Sequence, residues 1–204
     1  MAKRQIFLPT DGEANGPIVP DYSLLAFASV AFTFERGKPK ELGSFTRNLE
    51  LLHGPDEVGH PDQMSWWLKF PDAWAAIREN PQPPEKVMRD YHDWLQDLNG
   101  EITFVARPDA YDHAMIRYYY IHFLGVHPPF GHRGLDIASY TMGMFRLKRL
   151  SDAGRYMDKF RDPSLPHPHI PLPDAIDEGV CFRNLYIENM RRARAEHERA
   201  QRQT

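Results

Sequence analysis

The chain has 204 residues, of which 42% are hydrophobic and 12% aromatic, so it can bury a core and its composition excludes wholesale disorder. Its single cysteine, Cys181, excludes an intrachain disulfide and a cysteine-based zinc cluster, and predicts a reducing, cytoplasmic location. The longest apolar run, residues 24–34, is too short to cross a membrane, and we expect no signal peptide because the first residues lack its hydrophobic segment.

Charge is distributed unevenly along the chain. The net charge of −3 argues against a protein that coats nucleic acid electrostatically. Residues 183–204 nevertheless hold six arginines against three glutamates, so the body of the chain is acidic and its end is basic. This asymmetry fits a metal-dependent enzyme that acts on a polyanion, and a solvated helix end explains it equally well.

The first half of the chain predicts strands followed by helices. Two apolar, partly alternating runs around Arg36-Gly37-Lys38-Pro39 predict a hairpin. Pro9 disfavours a central position for the first strand, and Pro84 suits the first turn of a helix. The predicted elements are strands at 5–9, 23–34 and 42–52, a loop at 54–62, helices at 62–79 and 84–98, and a strand at 102–106.

The second half predicts helices interrupted by prolines. Helices are expected at 110–124 and 134–147, and the five prolines within residues 162–173 predict an extended loop that excludes helix. A final helix begins near Asp174 and lacks an apolar face beyond Arg191, which predicts that its end frays or meets a partner. The element order predicts an α/β fold, with one domain over 1–190 and a basic helix end or tail over 191–204.

The first chemical feature is Thr10-Asp11-Gly12-Glu13. Side chains two residues apart on an extended chain point the same way, so Asp11 and Glu13 project together, and Gly12 adds no bulk between them. Two close carboxylates repel each other unless a cation lies between them, and hard oxygen ligands favour Mg²⁺ or Mn²⁺. The alternative is an acidic turn where a strand ends.

Two further acidic segments lie at predicted element boundaries. Asp109 and Asp112 follow the strand at 102–106, at the sheet edge where α/β proteins build sites, although both also suit a helix N-terminus. His169 lies on the proline-rich loop, five residues before Asp174. A histidine there can deprotonate water near neutral pH, and the alternative is a surface histidine before an acidic helix start.

In order and spacing, these segments resemble the motifs of the DEDDh 3′→5′ exonucleases of the ribonuclease H-like superfamily. Asp-x-Glu matches Asp11 and Glu13, an aromatic residue followed by Asp matches Tyr111-Asp112, and His-x-x-x-x-Asp matches His169 and Asp174. The resemblance covers residues 5–190 and implies a ribonuclease H-like mixed β-sheet flanked by α-helices. The asparagine common in the second motif is missing, which leaves Asp109 as the alternative to Asp112.

One further segment resembles a subgroup of this family. Trp66-Trp67-Leu68 is similar to a segment of the short exoribonucleases called RNase AS and their phage-type relatives. This likeness favours RNA or single-stranded DNA over duplex as substrate, with an exoribonuclease as the expected activity. The resemblance also suggests a homodimer.

The resemblance implies a two-metal phosphodiesterase that releases nucleoside 5′-monophosphates from 3′ ends. Two Mg²⁺ or Mn²⁺ ions clamp the attacking and leaving oxygens, and His169 acts as general base. Bases stack on Trp66, Trp67 or Tyr111 in this interpretation, although packing in the core explains each of these aromatic residues as well. The implied metal ligands are Asp11, Glu13, Asp112 and Asp174.

Three other functions remain open at this level. The first is a catalytically inactive nuclease fold that binds nucleic acid. The second is a metal-dependent phosphohydrolase with a small substrate, and the third is an assembly protein that functions through its basic helix. An enzyme truncated near Arg191 retains activity, whereas a scaffold loses its partner.

Overall fold

A five-stranded mixed sheet forms the centre of the protein, which a computed structural model describes over residues 3–202. The strands are β1 (Gln5–Ala14), β2 (Leu24–Glu35), β3 (Lys38–Asn48), β4 (Glu101–Ala106) and β5 (Gly134–Asp136). The helices are α1 (Pro61–Trp67), α2 (Pro71–Ile77), α3 (Pro84–Asp97), α4 (Asp109–Leu124), α5 (Ile137–Phe145), α6 (Ala153–Met157) and α7 (Pro171–Gln201), with a 3₁₀ turn at Leu150–Asp152.

The strand order β3-β2-β1-β4-β5 puts β1 at the centre of the sheet. β2 pairs antiparallel with both β1 and β3, whereas β1, β4 and β5 run parallel to one another. The carboxyl ends of the three parallel strands therefore meet at one edge of the sheet. This is the edge where open α/β sheets place their sites.

Alternation along β1 assigns its side chains to two separate cores. Ile6 and Leu8 are fully buried and pack in the core that includes α3 and α4 residues. Phe7 points to the other face, where its ring centroid lies 5.2 Å from that of Phe182 on α7. Each fully buried side chain of this kind contributes about 1.5–3 kcal/mol, which holds helices on both faces of the sheet.

The structure alters several of the predicted elements, and the strand predicted over 42–52 is Lys38–Asn48. The first strand continues through Pro9 to Ala14, twice the predicted length. The helix predicted over 62–79 is two helices, because Pro71 begins α2. The helix predicted over 134–147 is wrong at its start, where three residues form β5 against β4. A strand of three residues is too short to show any periodicity.

The proline-rich segment is also corrected. The prolines predict an extended chain through residue 173, but α7 begins at Pro171 and includes Pro173 in its first turn. The first N–H groups of a helix have no intrahelical partner, so prolines cost little there. Asp174 consequently lies in the first turn of a helix that is already packed on the sheet.

The basic end of the chain continues α7 as an exposed helix to Gln201. The Arg192 guanidinium carbon lies 4.5 Å from the ring centroid of Phe145 and links this extension to α5. Of the tail predicted over 191–204, residues 203 and 204 lie outside the described part. Among the described residues, no helix is long and apolar enough to cross a bilayer.

Candidate active site

The end of β1 presents Asp11 and Glu13 towards α7. Pro9 lies on the same side of the strand, where a Cβ placed on Gly179 of α7 would come within 3.3 Å of the Pro9 ring. The lack of a side chain at Gly179 therefore allows α7 to approach this part of β1 closely. Because alternate residues of a strand point to the same face, the side chains of Asp11 and Glu13 lie on the same face of β1 as Pro9.

Asp112 reaches this edge from the opposite face of the sheet. The backbone N–H of Gly12 donates to Asp112 Oδ1 at 3.0 Å, and a Cβ on Gly12 would lie 3.4 Å from that oxygen. The small residue between Asp11 and Glu13 thus leaves room for a carboxylate from α4. Asp112 is 3% exposed although it belongs to the first turn of its helix.

Asp109 faces another part of the same edge. Its backbone N–H donates to Asp136 Oδ2 at 3.4 Å, and its side chain lies directly against Gly134 of β5. Asp136 also caps α5, because its Oδ1 accepts from the backbone N–H of Ser139. Of the two acids considered for the second motif, Asp112 is the one whose pKa is raised, beyond the effect of desolvation, by the charge of Asp11.

The first turn of α7 brings the fourth carboxylate to this point. Asp174 is 1% exposed, and one oxygen each from Asp11, Glu13 and Asp174 lie within 4.8 Å of one another. Asp174 Oδ1 and Asp11 Oδ2 are buried oxygens without a hydrogen-bond partner among the described residues. Four acids from three separate elements therefore converge in one open cleft of about 540 Å³.

His169 lies at the rim of the cleft on the segment before α7. Its backbone is left-handed, with φ of 59°. The imidazole centroid lies 4.4 Å from the Phe70 ring and 4.8 Å from the Trp66 ring, with edge-to-face geometry in both cases. Desolvation by these neighbours lowers the pKa of His169, so the neutral imidazole is favoured.

Burial and mutual repulsion dominate the electrostatics of the acids. Desolvation, followed by the charge of Asp174, raises the pKa of Asp11 to about 7. Desolvation and then the charge of Asp11 raise the pKa of Glu13 to about 10, and the same two causes raise the pKa of Asp112 well above its usual value. A divalent cation would offset this repulsion, so the donor set fits a metal site.

Sequence reasoning assigned no role to a second group of charged residues beside this cleft. Asp177 and Glu178 follow Asp174 by three and four positions, so one helix face carries all three acids. Glu178 is 3% exposed and its Oε2 has no hydrogen-bond partner among the described residues, whereas Asp177 forms an ion pair with Arg161. The i, i+3, i+4 spacing of acids is the signal that could have revealed them.

His167 was missed as well, although it lies two residues before His169. Its Nδ1 is 3.1 Å from Asp174 Oδ1 and 3.8 Å from Asp177 Oδ2. The repeated His-Pro pattern could have drawn attention to it. The cleft also includes Arg107, an exposed cation at the end of β4.

The predicted aromatic contacts divide into two groups. Trp66 and Tyr111 are partly exposed and line the cleft, and the Tyr111 hydroxyl donates to the Gly16 carbonyl at 3.3 Å. Trp67 is 2% exposed, and its Nε1 donates to the Ala14 carbonyl at 3.0 Å. The expectation that Trp67 stacks on a base is corrected, because its ring is a buried contact between α1 and β1.

Known proteins share this fold. No family model matches the chain. It is 26% identical over 193 residues to the 3′-5′ DNA exonuclease Cap18 of Escherichia coli, with 88% of this chain and 91% of that protein covered. The nuclease domain of 3′hExo, a DEDDh family member bound to rAMP, superposes with a TM-score of 0.64 at 12% identity, covering 92% of each chain. S. pombe Pop2p, solved with Mg²⁺ and Mn²⁺ bound, superposes with a TM-score of 0.60 at 15% identity, covering 89% of this chain and 81% of Pop2p.

The chain therefore has the same fold as the nuclease domain of 3′hExo, a mixed sheet flanked by helices. The chain is a homologue of a 3′→5′ exonuclease, which confirms the resemblance drawn from its motifs. The closer likeness to the RNase AS subgroup stays a prediction.

Proposed function

We propose that this chain is a divalent-metal-dependent 3′→5′ exonuclease that hydrolyses single-stranded nucleic acid and releases nucleoside 5′-monophosphates. One observation carries the proposal: Asp11, Glu13, Asp112 and Asp174 come from three separate elements and converge in a cleft with His169 at its rim. Unpartnered buried carboxylate oxygens are costly for a fold to retain without a function. The similarity to a 3′-5′ DNA exonuclease supports the same function.

The four carboxylates would hold the metal ions. Their hard oxygen donors favour Mg²⁺ or Mn²⁺, the ions with which Pop2p was solved. When bound, such ions would stabilise the negative charge on the phosphodiester in the transition state and lower the pKa of bound water. Asp11 lies within 4.8 Å of ligand oxygens of Glu13 and Asp174 and its charge acts on Asp112, so its carboxylate would be the central ligand of the set.

His169 is our candidate for the general base. Its lowered pKa keeps the imidazole neutral near physiological pH, which is the form that accepts a proton from an attacking water. Trp66 holds the ring of His169 from one side and is itself partly exposed, so one terminal base can stack on Trp66 beside the reacting phosphate. Such stacking contributes about 1–3 kcal/mol per base.

The indications on whether the substrate is DNA or RNA differ. The similarity to a DNA exonuclease favours single-stranded DNA, while the Trp-Trp-Leu segment favours RNA. Arg107 at the cleft rim offers a phosphate contact that is common to both polymers. We therefore propose that the protein degrades 3′ single-stranded ends.

The test uses matched DNA and RNA oligonucleotides that carry a 5′ label, with Mg²⁺, Mn²⁺ or EDTA. We expect a ladder that shortens from the 3′ end with either metal and no product in EDTA or with Asp11→Ala. Absence of a ladder with both metals overturns the proposal. Binding without cleavage would indicate the inactive nucleic-acid-binding alternative, and cleavage of small phosphodiesters alone would indicate a phosphohydrolase.

A histidine variant tests the proposed base. His169→Ala is expected to lower the cleavage rate by about 10²–10⁴-fold, the usual contribution of a general base. Mn²⁺ binding, measured by calorimetry, should be retained because none of the four carboxylates changes. A variant that cleaves at the wild-type rate would remove His169 from the mechanism.

A further inference from the structure

A second metal-binding arrangement adjoins the carboxylates. Ligand atoms of His167, His169 and Asp174 lie within 4.8 Å of one another, and we call these three residues the histidine cluster. Two imidazoles and one carboxylate form a different donor set from four carboxylates. Imidazole nitrogen suits zinc and related transition metals, whereas Mg²⁺ prefers oxygen.

The distances in the histidine cluster suit such an ion. Zinc bonds to nitrogen and oxygen are about 2.0–2.2 Å, so two ligands of a tetrahedral zinc lie roughly 3.3 Å apart. His167 Nδ1 and Asp174 Oδ1 are 3.1 Å apart, near that value. Asp174 is 1% exposed, and within residues 3–202 its Oδ1 has no hydrogen-bond partner despite this close approach.

The segment that carries the histidines is preorganised. Pro166 and Pro168 flank His167 and restrict its backbone, which lowers the entropy lost when a ligand is bound. Asp177, 3.8 Å from His167 Nδ1, pairs with Arg161, so its charge is already partly balanced. His167 keeps 45% of its side chain exposed, which leaves an open route for an ion from solvent.

We propose that the histidine cluster binds a transition metal ion of the zinc class and that this binding inhibits the nuclease. The inhibitory part rests on the proposed function. An ion on His169 occupies the lone pair that would accept a proton, and an ion on Asp174 competes with the Mg²⁺ or Mn²⁺ ligand set. Zinc-class metal would then act as an inhibitor distinct from the activating ions.

The test adds Co²⁺ to the full-length, metal-free protein and records visible absorption, because four-coordinate Co²⁺ absorbs far more strongly than six-coordinate Co²⁺. We expect an intense spectrum with one equivalent, displaced by Zn²⁺. His167→Ala should remove the spectrum and weaken Zn²⁺ binding by at least about 100-fold, since loss of an outer-shell partner alone costs roughly 10–100-fold. The matched control is His127→Ala, at an exposed histidine outside the cleft, and Asp112→Asn should also retain the spectrum.

A second measurement separates this proposal from the proposed function. At fixed Mg²⁺, Zn²⁺ should inhibit the wild type, and His167→Ala should need at least about tenfold more Zn²⁺ for half inhibition relative to its own uninhibited rate. An active enzyme without the Co²⁺ spectrum, or a spectrum retained in His167→Ala, overturns the histidine site alone. A spectrum that depends on His167 in a protein without nuclease activity supports the site and overturns the inhibition.

Discussion

Asp11 is the residue on which burial, charge and proposed chemistry act together. Its carboxyl group is desolvated and lies beside Asp174, and the result is a pKa of about 7 in the folded chain against an ordinary value of 3.8. The charged form therefore costs folding free energy when no cation is bound. That cost is the physical reason why we assign this group of acids to metal binding rather than to stability.

Stability of the metal-free protein should reveal this cost. A carboxyl with a raised folded-state pKa leaves stability intact below pH 3.8 and reduces it as pH rises towards about 7. Asp11→Asn cannot ionise, so its advantage over wild type in free energy of unfolding should grow from about pH 4 to about pH 7, by at most about 4 kcal/mol. Denaturant unfolding in EDTA measures this, and a difference independent of pH would contradict the assignment.

Asp112 and Asp109 provide a matched pair for the second motif. Asp112→Ala removes a proposed metal ligand and should lower the cleavage rate by at least about 1,000-fold, or about 4 kcal/mol of transition-state stabilisation. Asp109→Ala removes a side chain that packs against Gly134 and should change the rate by less than about tenfold. Single-turnover cleavage distinguishes them, and the reverse pattern would move the motif to Asp109.

At the scale of elements, the end of β1 is held in place by the loop that precedes α1. The backbone N–H of His60 donates to the Asn15 carbonyl at 2.8 Å, and Glu57 accepts from the Asn15 side chain at 2.7 Å. Gly59 permits this contact, because a Cβ there would lie 2.7 Å from the Asn15 carbonyl oxygen. The position of Glu13, two residues before Asn15, therefore depends on this loop.

Two glycine variants test that dependence. Gly59→Ala should lower the free energy of unfolding by about 1–3 kcal/mol, as expected for overpacking against backbone, and should also reduce cleavage. Gly143→Ala lies in α5, where the new Cβ would meet no described atom within 4 Å apart from its chain neighbours and the backbone of its own helix. It should instead stabilise by about 0.5–1 kcal/mol through helix propensity. Thermal melts and cleavage assays compare them, and equal stability of the two variants would exclude the packing argument.

At the scale of the whole molecule, the fold brings together site residues that are 163 positions apart, as the pair Asp11 and Asp174 shows. Because the carboxylates repel one another in the folded chain, metal binding and folding are thermodynamically linked. The activating ion should therefore stabilise the whole fold. The link between metal binding and folding belongs to the assembled site, because β1, α4 and α7 each supply only part of the ligand set.

Metal addition should raise the melting temperature. Mn²⁺ at about 100 times its dissociation constant contributes about 2.7 kcal/mol, which for a chain of this size is roughly 5–10 °C. Asp11→Asn should show a much smaller increase because it removes the central carboxylate. Scanning calorimetry with and without Mn²⁺ measures this, and equal shifts in both proteins would place the stabilising ion elsewhere.

The amino-acid sequence by itself determined the class of fold and the resemblance to DEDDh exonucleases. Helices α3 and α4 were predictable because apolar residues recur there at helical spacing. The shared direction of the Asp11 and Glu13 side chains was predictable because strand alternation is a local property. The three-residue strand β5 was not, since its pairing with β4 depends on a neighbour that is distant in sequence.

Only the tertiary structure decided which acids share the cleft. Asp109 and Asp112 are equivalent as local helix-start signals, and the packing of α4 turns Asp112 towards Gly12 and Asp109 towards Gly134. Likewise, Trp66 and Trp67 are adjacent, yet only the ring of Trp67 is buried against β1. Orientation of this kind depends on long-range contacts, which a single sequence does not display.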